Sequence, residues 1–361
     1  DLIYQNLIKG DSVSSEIIYS YCNNLIRSNK EKEAILFLEK YELKNPKDEQ
    51  VKILIGLAYF KIKKFNLAKT FFLKVLKLNS DNDEAHTMLG DYYEKLGDLD
   101  EAKSCYNKSL SINANNVWTI NNLAALYFIN GNMREAEKFY NLSITKDKNN
   151  SDTRYYLSLC QLAQSNYTDG WLNFDYRWLA NEYNTLKFKS NLPKFKLNSD
   201  KKNLLIWGEQ GVGDQILFLR FLRDIKPFVD KISINIDKRL HPIIKRSFSE
   251  IAFFNKDETA YLNCQLSLGD LAGLFVKDNI YFLQNKNYYI KSDPVIKKKL
   301  EVSIKSKKKY LCGISWISKT NEIGINKSIT LEILKPVLKI ENIEFVDLQY
   351  SDTSIERENF Y

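Results

Sequence analysis

Histidine and cysteine are scarce in this chain, and neither is arranged for chemistry. Its two histidines, His86 and His241, lie far apart without ligand spacing, which argues against a zinc site. The five cysteines, Cys22, Cys105, Cys160, Cys264 and Cys312, are scattered and never in CxxC spacing. They read as free, mostly buried thiols in a reducing compartment, so a cytoplasmic location is expected. No apolar run approaches the length of a membrane helix, and no stretch reads as a signal peptide. A GK[ST] phosphate loop is absent, which excludes P-loop chemistry, and no recognition motif for nucleic acid accompanies the net charge of +8. That charge comes largely from lysine, in a Lys-, Asn- and Ile-rich composition that AT-rich coding explains as readily as a partner does. A basic surface attracts anions, and a small phosphorylated molecule ranks ahead of nucleic acid or lipid here. No cofactor and no metal are expected.

What the chain has is length and a repeat. Its 361 residues exceed what one core usually serves, so two or three domains are expected. Alanines recur at Ala34, Ala68, Ala102 and Ala136, with Gly170 at the next step, each 34 residues from the last. Three further columns keep that register. Tyr21, Ile55, Leu89, Leu123 and Leu157 form one; Leu38, Phe72, Tyr106, Tyr140 and Phe174 a second; and the small residues Cys22, Gly56, Gly90, Ala124 and Ser158 a third. Such a period is that of stacked helix hairpins, which approach closely only where a side chain is small. Gly97-Asp98 and Gly131-Asn132 mark turns within repeats, and Pro46 falls between repeats.

This pattern resembles the tetratricopeptide family over five units, 15–48, 49–82, 83–116, 117–150 and 151–184. Residues 1–14 fit the tail of an earlier unit. The family's large residue at the fourth position is replaced by Ile18, Lys52, His86 and Ile120. The resemblance implies a helical superhelix over 1–184 whose groove takes a protein or peptide. Asn115, Asn121 and Asn122 sit where an asparagine ladder could hold a peptide backbone, although asparagine is abundant throughout. His86 reads as a packed or solvated helix residue, and the aromatic columns as core. In the fifth unit, Trp171, Phe174, Arg177 and Trp178 crowd one helix face. A terminal repeat needs a cover, so this stripe is expected to dock on the next domain, with Arg177 bridging to a carboxylate there. Residues 185–202 then read as a connector.

Asn203–Phe218, NLLIWGEQGVGDQILF, reads as a buried strand, a turn containing Gly208, Gly211 and Gly213, and a helix opened by Asp214. This is the first unit of a doubly wound α/β sheet, where ligands sit at the carboxyl ends of strands. The spacing is not GxGxxG, and no acidic residue ends a second strand to hold a ribose, so a dinucleotide fold of the oxidoreductase kind is disfavoured. From the residues alone, Asp214 is equally an N-cap and a cleft-facing carboxylate. Further strands are expected at 231–236 and 251–255, a helix at 240–247, and a polar cleft segment at 265–269. The lysine-rich stretch 290–309 reads as a solvated helix and linker. Strands at 310–316 and 344–348 flank a helix at 331–338.

The segments YTDGWLNFDYRW, LPKF and LLIWGEQGVGD together resemble bacterial tetratricopeptide-repeat proteins that carry a C-terminal GT-B glycosyltransferase-like domain, similar to heptosyltransferases and to the layout of O-linked GlcNAc transferases. The resemblance implies an α-solenoid followed by an α/β Rossmann-like GT-B domain, with a first lobe at 203–300 and the start of a second at 310–361. It also implies sugar transfer from a nucleotide-sugar donor without metal. Asp214 would be the general base, Gln210, Gly211 and Gly213 would contact acceptor or donor, and Lys319, Lys327 and Ser328 would face the donor diphosphate. The chain begins at Asp1 and stops at Tyr361 in mid-pattern, so it reads as a fragment with a truncated second lobe, inactive as it stands. The alternative is a non-catalytic interaction scaffold with a degenerate transferase domain.

Overall fold

The computed structural model describes residues 14–181, 183, 185, 187–197, 202–256, 260–284, 289–303, 310–317, 328–349, 352–354 and 357–358. The chain divides into two compact units, Asp1–Tyr289 and Ile290–Tyr361.

Ten helices open the first unit: α1 Ser15–Arg27, α2 Glu31–Lys44, α3 Glu49–Lys61, α4 Phe65–Leu78, α5 Asp83–Leu96, α6 Leu99–Ile112, α7 Val117–Ile129, α8 Met133–Lys146, α9 Ser151–Ala163 and α10 Tyr167–Phe174. They pair as the 34-residue period requires. Several of the asparagines are helix caps. Asp48, Asn82, Asn116 and Asn150, each 34 residues apart, accept from the backbone N–H three residues on and start the first helix of a repeat. Asp98, Asn132 and Asn166 cap second helices in the same way. The Asn82 amide also donates to Glu49, and that of Asn116 to Asp83, so the caps tie one repeat to the one before. The unusual fourth position has its own use. Lys52 Nζ donates to the Pro46 carbonyl (2.6 Å), Arg154 Nε donates to the Lys148 carbonyl (3.3 Å), and His86 Nε2 lies 3.0 Å from the Ser80 carbonyl. Each reaches six residues back into the turn between repeats, while Ile120 at this position is simply buried.

The small and aromatic columns face one another. A Cβ added to Gly56 would overlap the Phe72 ring, and one added to Gly90 would overlap Tyr106. The Tyr106 ring cannot easily withdraw, because its hydroxyl donates to Asp91 (2.7 Å) and Glu94 (3.1 Å). Gly90→Ala gains helix propensity of about 1 kcal/mol but suffers overpacking of about 1–3 kcal/mol. A net loss of up to about 2 kcal/mol is expected, read as a lower Tm in thermal unfolding. The turn within each repeat places one residue in the left-handed region at the same register: Asn29, Lys63, Gly97, Gly131 and Ser165, with φ between 58° and 80°. Only two are glycine. Lys63→Gly is therefore expected to stabilise the chain by about 1 kcal/mol, and an unchanged or lower urea midpoint would contradict this.

Four parallel strands follow: β1 Asn203–Trp207, β2 Lys231–Asn235, β3 Ala252–Phe253 and β4 Cys264–Ser267, in the order β3-β2-β1-β4. Between β1 and β2 lie α11 Val212–Phe218 and α12 Leu222–Ile225, joined by a 3₁₀ turn; α13 His241–Ser247 precedes β3, and α14 Asp270–Phe275 and α15 Ile280–Gln284 follow β4. One sheet face, with Leu204, Ile206, Ile232, Ile234, Cys264 and Leu266, joins the largest apolar core together with Leu219, Leu222 and Ile244. Strand β4 lies where the sequence pattern shows only a polar cleft segment. It is four residues long, and Gln265 and Ser267 break its apolar run. The expected connector is partly sheet as well. Lys194 bridges in parallel to Gln265, with Phe195 N–H donating to the Gln265 carbonyl and Gln265 N–H to that of Pro193.

In the second unit, α16 Pro294–Ser303 precedes β5 Tyr310–Ile314, α17 Leu331–Leu338 and β6 Ile343–Asp347. Strands β5 and β6 pair in parallel, from Tyr310 opposite Ile343 to Ile314 opposite Asp347. The Gln349 side chain seals the end of β5: its Oε1 accepts from Ser315 Oγ and from the N–H groups of Trp316 and Ile317, and its Nε2 donates to the Ile317 carbonyl.

Candidate functional site

In the order β3-β2-β1-β4 the strands are laid down outward from β1 on one side and then on the other, so the order switches between β1 and β4. The crevice beyond the carboxyl ends of those two strands is where a doubly wound sheet receives a ligand. Here that place is occupied by the array's own Arg177, which is fully buried. Its Nε and Nη2 donate to the two carboxylate oxygens of Glu209, just after β1, at 3.0 Å each. Nη2 also donates to Ser267 Oγ at the end of β4 (3.0 Å) and to Asp270 Oδ1 at the start of α14 (2.6 Å). Nη1 donates to the Phe174 carbonyl, fastening the arginine to its own helix end. Glu209, 3% exposed, is completed by the Gly269 N–H (2.8 Å) and the Tyr183 hydroxyl (2.8 Å). A side chain at Gly269 would collide with Glu209 Oε1, so this glycine is required by space rather than by its backbone angles.

Lys194 adds a second cation, 3.0 Å from Asp175 and 3.2 Å from Asp270. Burial opposes ionisation of Asp270, but Arg177 and Lys194 overcome it and hold the carboxyl below its ordinary value. Burial likewise opposes the charge on Arg177, and Asp270 and Glu209 reverse the outcome, raising its pKa. The three segments quoted above, YTDGWLNFDYRW, LPKF and LLIWGEQGVGD, thus meet at one place. Trp171 packs on Gly273, Trp178 lies 5.2 Å from Trp207 between ring centres, and Phe195 is in the core. The expected docking of the aromatic stripe and the bridge from Arg177 to a carboxylate are both present, although α10 ends at Phe174 and residues 175–178 form a 3₁₀ turn. Ser267 and Gly269 fall in the polar segment expected near the cleft, whereas Asp270 gives no signal, since nothing in its spacing pairs it with a residue 93 positions upstream.

The glycine loop is arranged largely for its own closure. α11 starts at Val212, two residues before Asp214, because Gly211 is its extended N-cap. Asp214 Oδ2 accepts from the Gly211 N–H (3.3 Å), the capping arrangement its position allowed, and the residue is exposed. Gly208 N–H donates to the Asn235 carbonyl, and an added Cβ there would overlap Gln215. Gln215, inconspicuous in the sequence, fills the loop: its Nε2 donates to the Gln210 carbonyl and its Oε1 accepts from the Asp237 N–H. Gln210 adopts φ 59°, and Gly213 has open space around it. Lys319 and Lys327 lie outside the described residues. Ser328 is exposed, beside Ile329, whose N–H donates to the Trp316 carbonyl just beyond β5. No group of three or more His, Cys, Asp or Glu side chains suited to a metal occurs among the described residues.

The other candidate surface is the array. The first helices of successive repeats, α1, α3, α5 and α7, touch one another directly, whereas second helices do not pack together to that extent. The first-helix layer is therefore the tighter, inner one. Asn121 and Asn122 lie on it, but they are engaged within the array: Asn121 Oδ1 accepts from Thr153 (3.1 Å), and Asn122 Nδ2 donates to Asp91 (2.6 Å). Asn115 lies in an exposed turn, where its backbone N–H donates to the Asn113 side chain. Asn121 and Asn122 thus link helices, and Asn115 stays within its turn. Trp118, 41% exposed, and the half-buried Ala125 lie seven residues apart on one face of α7, with Asn121 between them. Asp91 has its pKa pushed up to about 7, chiefly by burial and by neighbouring Glu94, against the hydrogen bonds from Tyr106 and Asn122.

Tetratricopeptide repeat profiles match residues 50–82, 83–116 and 105–138, all inside this array. Residues 50–138 thus match tetratricopeptide repeats, and the helix pairs before and after them keep the same 34-residue period. No curated protein matches the chain. Among solved structures, MamA is similar at 16% identity and a TM-score of 0.37, over 43% of this chain and 91% of that one. A thermophilic tetratricopeptide protein of Thermus thermophilus aligns at 13% identity and a TM-score of 0.42, over 47% of this chain and 93% of its own. YrrB, described as having an unusual peptide-binding site, aligns at 18% identity and a TM-score of 0.34, over 48% and 89%. Among the described residues no helix is long and apolar enough to cross a membrane.

Proposed function

We propose that this chain is a protein-interaction scaffold in which the inner helix layer of the repeat array receives a peptide or protein segment. The observation that carries the reading is the burial of Arg177 at the switch point of the first sheet. The place where such a sheet would take a small ligand is filled by the array, so the sheet serves as a cap on the last repeat. That leaves the open side of the first helices, with Trp118 and Ala125 on α7, as the surface offered to a partner. Peptides selected from a random display library against the full chain should lose binding to the Trp118→Ala, Ala125→Glu double variant, which removes the indole and sets a bulky charge two turns further along the same helix face. Its Tm should stay close to that of the parent. Selected peptides that bind both proteins equally would refute the reading.

A second reading draws on the parallel β3-β2-β1-β4 order: transfer of a sugar from a nucleotide-sugar, with Asp214 as base and Lys319, Lys327 and Ser328 at the donor diphosphate. It requires turnover of a nucleotide-sugar panel, abolished by Asp214→Asn without loss of folding.

A further inference from the structure

The inner face of the array carries a charge opposite to that of the chain. The 34-residue register extends the positions of Trp118, Asn121, Asn122, Ala125 and Phe128 on α7 to α1, α3 and α5. Together these places hold four acids, Glu16, Glu84, Asp91 and Glu94, and no lysine or arginine, in a chain with 53 of the two. Arg27, Lys61 and Lys95 come in the last turns of their helices, where the dipole favours a cation. Glu16 and Glu84 stand in first turns, which favour an anion, so the helices account for them.

Asp91 and Glu94, both half-buried, have no such account. They lie in the C-terminal half of α5, where the dipole opposes negative charge, and like charges three residues apart repel. Both accept from the single hydroxyl of Tyr106, which has one proton to give. Asn122 donates to the same Asp91 oxygen that Tyr106 meets, and neither acid has an ion pair among the described residues. Burial, with Glu94 beside it, pushes the Asp91 pKa up to about 7, so the pair alone sheds its surplus charge by holding a proton. Trp118 is one turn from Asn122 on α7, so the indole and the acids belong to one surface.

Taking the interaction reading above as premise, we propose that the segment this face receives is cationic. A lysine or arginine side chain of the partner sits between Asp91 and Glu94, and an apolar residue lies on Trp118. The cation supplies the N–H donors that the pair lacks and replaces the proton of Asp91, which passes to solvent. The test takes peptides selected by display against the full chain whose binding falls on Trp118→Ala. They are titrated calorimetrically into the parent and into the Asp91→Asn, Glu94→Gln double variant. Their lysines and arginines should outnumber their acids. Binding to the double variant should be at least about tenfold weaker, with its Tm at or above the parent's, since both amides still accept from Tyr106. Peptides that depend on Trp118 but are neutral or acidic, or that bind the double variant as tightly as the parent, would overturn this inference and leave the scaffold reading standing. A selection that yields no peptide sensitive to Trp118→Ala would overturn both.

Discussion

Replacing Arg177 by methionine is expected to destabilise the first unit by about 3–5 kcal/mol, the usual result of removing one partner from a buried ion pair. The cost arises from what is left behind. Glu209 and Asp270 keep some donors, from Gly269, Tyr183 and Lys194, but lose three hydrogen bonds and the charge that offset their burial. Arg177→Lys should recover only part, because one ammonium cannot reach Glu209, Ser267, Asp270 and the Phe174 carbonyl together. Pairing Arg177→Met with Glu209→Gln should recover part by removing a carboxylate. Urea unfolding of the four proteins decides the matter, and a loss below about 1 kcal/mol for Arg177→Met would mean that the junction is held by its aromatic contacts. Because the folded Asp270 carboxyl lies below its ordinary value, its contribution is present above about pH 4 and lost as pH falls through the lowered value.

The second large effect is expected from Asp91, and its sign is the opposite. Folded, Asp91 keeps its proton up to about pH 7; unfolded, it releases the proton near pH 4. Between those values the folded state binds more protons, so stability falls as pH rises across the window. At full extent the linkage amounts to about 4 kcal/mol. In Asp91→Asn the amide oxygen can still accept from Tyr106 and Asn122, and the titration is gone. Relative to the parent, this variant should gain about 2–4 kcal/mol between pH 4.5 and pH 8. Parallel curves of urea midpoint against pH for the two proteins would show that Asp91 is ionised throughout.

The array was legible because its constraints repeat. A period of 34 shows in Ala34, Ala68, Ala102 and Ala136, and the turns at Gly97 and Gly131 lie where that period puts them. Lys63 and Ser165 occupy the same backbone region without glycine's signature, so they could be found only by register. Asn82, Asn116 and Asn150 were hidden in plain composition: a residue abundant everywhere gives little signal, although at these positions each starts a helix. The βαβ pattern of the first sheet was legible where strands were apolar, at Leu204–Ile206 and Ile232–Ile234, and failed at β4, where Gln265 and Ser267 serve the second face. At the junction the sequence named Arg177 and suggested a carboxylate but could not choose it. Glu209 and Asp270 lie 32 and 93 residues downstream, and only the fold brings them to one guanidinium.

The separation of those partners along the chain has a consequence for synthesis. The array can close repeat by repeat as it leaves the ribosome, but its last turn cannot. Until residue 270 has emerged, Arg177 has neither Glu209 nor Asp270 properly placed, and Trp171 and Trp178 have no sheet to lie on. The fifth repeat therefore stays uncovered longest during synthesis, with its aromatic face waiting for the sheet.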